Sequence, residues 1–466
     1  MNARRAVFLA AAALALADVS GCGKDAGRGV FKLEEIPLTI EQVDYEPAIH
    51  FKQGDPYPHL DLDKVAKDRV VKKEHRAVVL ENPFIRLILL PEMGRVYSLV
   101  NKTTGHEVFW RNDIVTVGSG SNPCGWWLWI GGAEYTLPGD EHGTTWAERW
   151  DYDILADDAG RKTVGLGVTE RGTGLRENIE ISIFPGRSYY QADIRIHNPT
   201  PDDVMFAHWV NPQWAPGGRN ELTDNTEFII PTRRILIPER FRRALGPSPQ
   251  DWETSPLRFI KGWTTGWGDL MAENLEAGFF GAYSHDEEEG VVRIFDPAAN
   301  PGMDMWTYGF RPRGPAAIPM GSGAANNGYA EMWGGTSRTF PDERHPIKPG
   351  ETIGWTEWMY PFQKTGGLTY ANAEAAVRLS RSGGKNELVL GICPTRRYSG
   401  AEFEFRTPDA LIAAETIDIE PGRPFQKTFR NIFEDPPRTG SLRFVLRHRD
   451  AILLDIPVIA ANPRSR

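Results

Sequence analysis

From about residue 75 to 362 the apolar positions fall in short runs broken by proline, glycine and asparagine-proline steps. HRAVVLEN, FIRLILLPE and GRVYSLVNK follow one another in this way, and AGFFGAYS and VVRIFDP continue the theme. In NIEISIFPGRSYYQADIRIHN strict alternation sets Tyr190, Ala192, Ile194 and Ile196 on one face, as a half-buried strand requires. No stretch in this region keeps a 3.6-residue period for three turns, so the fold class is all-β. Residues 23–70 read as an extended lead-in, alternating at FKLEEIPLTI and turning at QGDPYPHLD. One helix is predicted, YANAEAAVRLS at 370–380, within a helical connector over 366–384. Beyond it, NELVLGICP, AEFEFRTP, LIAAETIDIE, SLRFVLRHRD and AILLDIPV read as a small immunoglobulin-like β-sandwich over 385–466.

Charge narrows the function. The chain has 466 residues and a net charge of -9, without the Lys/Arg concentration that phosphate binding needs, which argues against nucleic acid as a partner. At the amino terminus Arg4 and Arg5 precede AVFLAAAALALA, a run too short to span a bilayer, and then Val19-Ser20-Gly21-Cys22. Residues 1–22 resemble a bacterial lipoprotein signal whose cysteine, Cys22, becomes lipidated. The expectation is an outer-membrane lipoprotein of the cell envelope, periplasmic or surface-exposed, touching the membrane through its lipid anchor alone. An ordinary cleaved secretory signal is the competing reading. Cys124 and Cys393 then remain as one candidate disulfide pair, and no Cys/His spacing suggests a metal. No cofactor is expected.

Fifteen tryptophans exceed what packing asks for, and GGAEYTLPGDEHGTTWAERW at 131–150, one residue after CGWWLW, mixes them with glycines, carboxylates and one histidine. That mixture suits a wet pocket with flat apolar walls. Trp126 and Trp146 are candidate walls, and Glu134 and Arg95 are candidate polar contacts. Four segments, in order, carry a resemblance: residues 77–112, GGAEYTLPGDEHG at 131–143, HNPTPDDVMFAHWVNPQW at 197–214, and residues 328–362. Together they resemble the galactose mutarotase-like (aldose epimerase-like) superfamily, in its uncharacterised bacterial branch known as a domain of unknown function. The resemblance implies a β-supersandwich over 71–365 with a sugar site on one sheet face. It further implies Glu331 as the base, His208 as the acid and His142 as an assisting residue, opening and reclosing a sugar ring without a cofactor.

The residues themselves support these roles unevenly. In Tyr329-Ala330-Glu331-Met332-Trp333, alternation puts Tyr329, Glu331 and Trp333 on one face, a carboxylate between two rings. Burial there would raise its pKa toward that of a useful base. His208 shares its face with Val204, Phe206 and Val210, so a core histidine competes with the acid role; Trp209 and Asn211 follow it as further candidates. Asp304 and Trp306, in GMDMWTYG, make another candidate wall. The run Glu287-Glu288-Glu289 reads as a solvated hairpin tip, and Arg240, Arg242 and Arg243 as a surface cluster. Three functions stay open: a carbohydrate isomerase of the epimerase kind, a glycoside hydrolase or lyase on the same scaffold, and a non-catalytic glycan-binding lipoprotein. The ligand in each case is a mono-, oligo- or polysaccharide.

Overall fold

A computed structural model describes residues 30–265, 267–308, 328–340, 342–382, 387–430 and 442–458. The signal, the lipobox and Cys22 lie outside the described residues. The body is built from two antiparallel-rich sheets, one of 14 strands and one of eight. Across the large sheet the strands Gly268–Ala272, Gly302–Tyr308, Tyr329–Gly335, Trp209–Trp214, Ala133–Thr136 and Arg95–Asn101 lie side by side. The smaller sheet centres on Arg176–Ile183, Tyr190–His197, Thr352–Gln363, Glu289–Ile294 and Phe279–Ser284.

Each strand of the large sheet sorts its side chains by the period of two. Met303, Met305, Ala330, Met332, Val210 and Trp214 are buried in the core between the sheets, where the Trp214 ring meets Phe280 at 6.0 Å. This core is not wholly apolar. Arg293 donates to both carboxylate oxygens of Glu357 at 2.7 and 2.6 Å, and the Trp355 indole donates to the same carboxylate at 2.8 Å. A buried charge persists when it is paired and hydrogen-bonded in this way. Gly334 makes room for the arrangement, since a Cβ there would meet Arg293 Nη1 at 2.1 Å and Phe280 at 2.8 Å.

Three sequence expectations are corrected here. The lead-in is no appendage: Lys32–Asp44 runs antiparallel to Ala66–Glu81 from Lys32↔Glu81 to Asp44↔Ala66, within the large sheet. The predicted helix at 370–380 is a strand pair, Tyr370–Ala371 with Ala375–Ser382. The Asn372 side chain accepts the N–H groups of Glu374 and Ala375 at 2.8 and 3.1 Å, turning the chain where a helix would have begun. Ala375, Val377 and Leu379 then face one apolar cluster and Ala376 another, so burial on both faces overrides alanine's helix preference. The small β-sandwich therefore begins at Tyr370, with four strands in each sheet. Thirdly, Cys124 and Cys393 are both buried and free, each in its own apolar cluster, and form no bridge.

Candidate active site

Register and alternation together assemble a polar cluster on the face of the large sheet that points away from the second sheet. Arg95 lies opposite Glu134, Glu134 opposite Asn211, Gln213 opposite Glu331, and Glu331 opposite Trp306. Directly opposed residues project to the same side, so five adjacent strands contribute to one surface.

Glu331 is buried and held by three donors. Gln213 Nε2 and the Tyr329 hydroxyl donate to Oε1 at 2.9 and 3.1 Å, and the Trp333 indole donates to Oε2 at 3.1 Å. Tyr329 is in turn stacked on Trp110, with ring centroids 4.1 Å apart and planes 13° from parallel. Burial raises the Glu331 carboxyl above its ordinary range; the charge of His142 and the indole of Trp333 oppose that rise without cancelling it.

His142 comes from the loop after Ala133–Thr136. Its backbone is left-handed (φ 59°), as is that of Gly143 (φ 60°), and a Cβ on Gly143 would sit 2.5 Å from the Leu137 carbonyl oxygen. The turn is closed by Gly143 N–H to the Asp140 carbonyl at 2.7 Å and Thr144 N–H to the Leu137 carbonyl at 2.8 Å. The imidazole lies flat on Trp127, with centroids 4.1 Å apart and planes 13° from parallel, and edge-on to Trp333 at 5.1 Å. Its Nδ1 bonds Glu134 Oε2 at 2.9 Å, and Glu134 Oε1 pairs with Arg95 at 3.1 Å. Arg95 also donates to the Gly131 carbonyl at 2.7 Å.

This Arg95–Glu134–His142 chain sets the proton inventory. Burial alone would raise the Glu134 carboxyl, but the charges of Arg95 and then His142 outweigh it and hold Glu134 below the usual range. Burial alone would lower His142, but the Glu134 carboxylate outweighs it, so the imidazolium persists above the ordinary histidine range. Two carboxyls on one surface are thus pushed in opposite directions. Asn211 Oδ1 and Gln213 Oε1 are buried with no donor among the described residues.

The expected residues fall into two groups. Glu331, His142, Arg95, Glu134, Asn211, Tyr329, Trp333, Asp304, Trp306 and Trp209 all stand on this face. Trp209 there packs on Phe340 at 5.1 Å as a buried support. His208 does not join them. It precedes Trp209 and so points to the other side, where Nε2 bonds Glu177 Oε1 of the second sheet at 2.7 Å and the ring meets Trp355 edge-on at 5.1 Å. Trp126 likewise faces away, donating to the Pro58 carbonyl at 2.9 Å and meeting Trp146 edge-on at 4.7 Å. In that segment Trp127 and Trp129, rather than Trp126, stand beside the cluster, Trp127 against His142 and Trp129 against Tyr329. Gln213 and Asp269 were also missed. Arg240, expected only at the surface, keeps an exposed guanidinium yet reaches Asp269 at 3.2 Å. Glu289 is no solvated tip: it is buried and binds His106 and Asn101, each at 2.7 Å. Among the described residues no cluster of three or more His, Cys, Asp or Glu side chains could hold a metal ion.

The chain is similar to several solved structures. A TPR-domain containing protein from Parabacteroides distasonis matches with a TM-score of 0.58 at 21% identity, over 71% of this chain. The chain spans 55% of that protein's length, and the likeness is one of fold. The Slr1438 protein of Synechocystis matches with a TM-score of 0.46 at 12% identity, over 62% of this chain and 96% of its own. A galactose mutarotase related enzyme from Lactobacillus acidophilus gives 0.43 at 12% identity, over 63% of this chain and 100% of its own. Residues 370–455, the small sandwich, match the second domain of YphG-like proteins. Residues 52–348, which contain every residue of the cluster, match the family described as a domain of unknown function, DUF5107, and the chain belongs to that family.

Proposed function

We propose that the protein binds a sugar on this face of the large sheet and performs acid/base chemistry on it with Glu331 and His142. The observation that carries the reading is the pairing, in one buried cluster, of a three-donor carboxyl raised by burial with an imidazole that the Glu134 carboxylate holds above the ordinary histidine range. In the epimerase-like form of this chemistry, the Glu331 carboxylate takes the proton of the anomeric hydroxyl. The electron pair re-forms the carbonyl, the bond from C1 to the ring oxygen breaks, and the ring oxygen receives a proton. His142, whose Nδ1 donates to Glu134, supplies that proton from Nε2 in place of His208. Rotation and the reverse transfers close the other anomer, so protons and charge balance with no cofactor. The rings of Trp127 and Trp333 hold the imidazole from its flat face and its edge, so that it has one fixed orientation toward a sugar.

A second reading, glycoside hydrolysis, is favoured by one observation. Asp304 is the diagonal neighbour of Glu331 across paired strands, a step of about 7–8 Å between side-chain origins. Asp304 thus gives Glu331 a neighbouring carboxyl on the same face, the pair of acids that glycoside hydrolysis uses.

Polarimetry and calorimetry on a panel of aldoses test the first reading. Glu331→Gln is expected to slow anomer exchange by about 10²–10⁴-fold while keeping measurable sugar binding, the range for loss of one general base. Wild-type exchange rates in that variant would remove Glu331 from the chemistry. Product formation from aryl glycosides, without anomer exchange, would move the reading to hydrolysis.

A further inference from the structure

Beside Glu331 lies a second pair of carboxyls that the epimerase-like chemistry does not use. Asp304 and Asp269 stand on neighbouring strands of the large sheet, and both are buried. Asp304 Oδ2 accepts the Trp306 indole at 3.1 Å, the same i to i+2 arrangement by which Glu331 accepts the Trp333 indole. Asp269 Oδ2 accepts from Arg240 at 3.2 Å. The remaining oxygen of each, Oδ1, has no donor from any other described group. The two side chains bond each other, and the like charge between them favours one shared proton over two carboxylates. Burial pushes Asp304 well above the carboxylate range, and the neighbouring Asp269 adds to it.

Apolar surface accompanies the pair. Trp306 is near-parallel to Trp267 at 6.3 Å, and Trp267 is 47% exposed. Phe241 meets both rings edge-on, and the Arg240 guanidinium lies 5.1 Å over Trp306 with its side chain 60% exposed. A carboxyl pair with one proton both donates and accepts hydrogen bonds, which matches neighbouring hydroxyls on a sugar. A cation at the rim and an exposed indole complete the surroundings of a second ring. Asp304 stands one diagonal step from Glu331, with Trp306 and Trp333 interleaved between them.

We infer that Asp304, Asp269, Arg240, Trp306 and Trp267 form a second sugar position next to the Glu331–His142 position, so that the preferred ligand has at least two linked rings. This rests on the sugar reading of the first position.

Isothermal titration with glucose, galactose and mannose as one-ring probes, and cellobiose, maltose and lactose as two-ring probes, tests it. Wild-type protein is expected to bind at least one two-ring probe more tightly than its component ring. Asp304→Asn is expected to reduce that ratio about tenfold or more, the loss of hydrogen bonds at a buried carboxyl. Asp269→Asn, which keeps the Asp304 carboxyl in place, gives the same fall and guards against misfolding of the first variant. Single-ring binding with no gain for any two-ring probe overturns the second position and leaves the first intact. So does a two-ring to one-ring ratio that both variants leave within twofold of wild type.

Discussion

At the scale of single residues, Glu134 governs the cluster although the proposed chemistry does not pass through it. Its carboxylate holds His142 above the ordinary histidine range, and Arg95 holds Glu134 below the ordinary carboxylate range despite burial. The sign follows from the raised histidine: the stabilisation from the His142 charge is full below the ordinary histidine value. It is lost as pH rises through the folded value. Glu134→Gln removes the charge but preserves the shape, so burial regains control and the His142 midpoint moves down. NMR titration of the imidazole reads this directly, and the alkaline limb of the anomer-exchange pH profile is expected to move down with it. A midpoint that stays in place in Glu134→Gln would show that the ion pair does not set the histidine. Glu331 follows the same sign for stability, about the ordinary glutamate value rather than the histidine one. Its raised carboxyl contributes below the ordinary glutamate value, and that contribution is lost as pH rises through the folded value. Glu331→Gln is therefore expected to melt at a higher temperature than wild type at neutral pH, with the gap narrowing toward pH 4, where both carry a neutral side chain.

At the scale of elements, alternation was legible and its phase was not always. Tyr329-Ala330-Glu331-Met332-Trp333 announced its face because a carboxylate between two aromatics allows one orientation to the core. In CGWWLW every alternate position is apolar, so nothing in the run says which tryptophans face the site. Trp126 was chosen where Trp127 and Trp129 stand. His208 failed for a related reason: its apolar strand-mates already described an inward face, and Glu177, the partner that makes an inward histidine tolerable, lies on another sheet. Such long-range partners leave no local trace. The strand pair at 370–382 was hidden by alanine's helix preference, which double-sided burial outweighs. The loop bearing His142 could be read from its glycines, and it carries a prediction of its own. Gly143→Ala places a Cβ 2.5 Å from the Leu137 carbonyl in a left-handed backbone. It should cost about 1–2 kcal/mol from the backbone alone, and more from the clash. Because the loop positions the imidazole, activity is expected to fall further than stability does. Equal melting temperature and full activity in Gly143→Ala would mean that the loop is not the support described.

At the scale of the whole molecule, the small sandwich is bound to the body by a shared core. Tyr283, Tyr360, Phe362, Val292 and Ile294 of the second sheet form one cluster with Leu368, Ala371, Ala376 and Cys393. The polar rim of this contact is specific as well: Arg187 pairs with Glu374 at 2.7 Å, and the Tyr360 hydroxyl donates to the Asn372 carbonyl at 2.7 Å. The second sheet is thus buried on both faces around Tyr360, against the large sheet on one side and the sandwich on the other. Removing residues 366–466 would expose several large side chains, each worth about 1.5–3 kcal/mol of burial. That sum is comparable with the whole stability of a typical domain. The truncated body is expected to bind a hydrophobic dye, melt well below the full chain and aggregate at temperatures the full chain survives. Restoring the sandwich as a separate chain should not raise the melting point unless the shared cluster re-forms. If the truncated body instead melts with the full chain and binds sugar equally, the sandwich is a passenger and the second sheet holds its shape from one side alone.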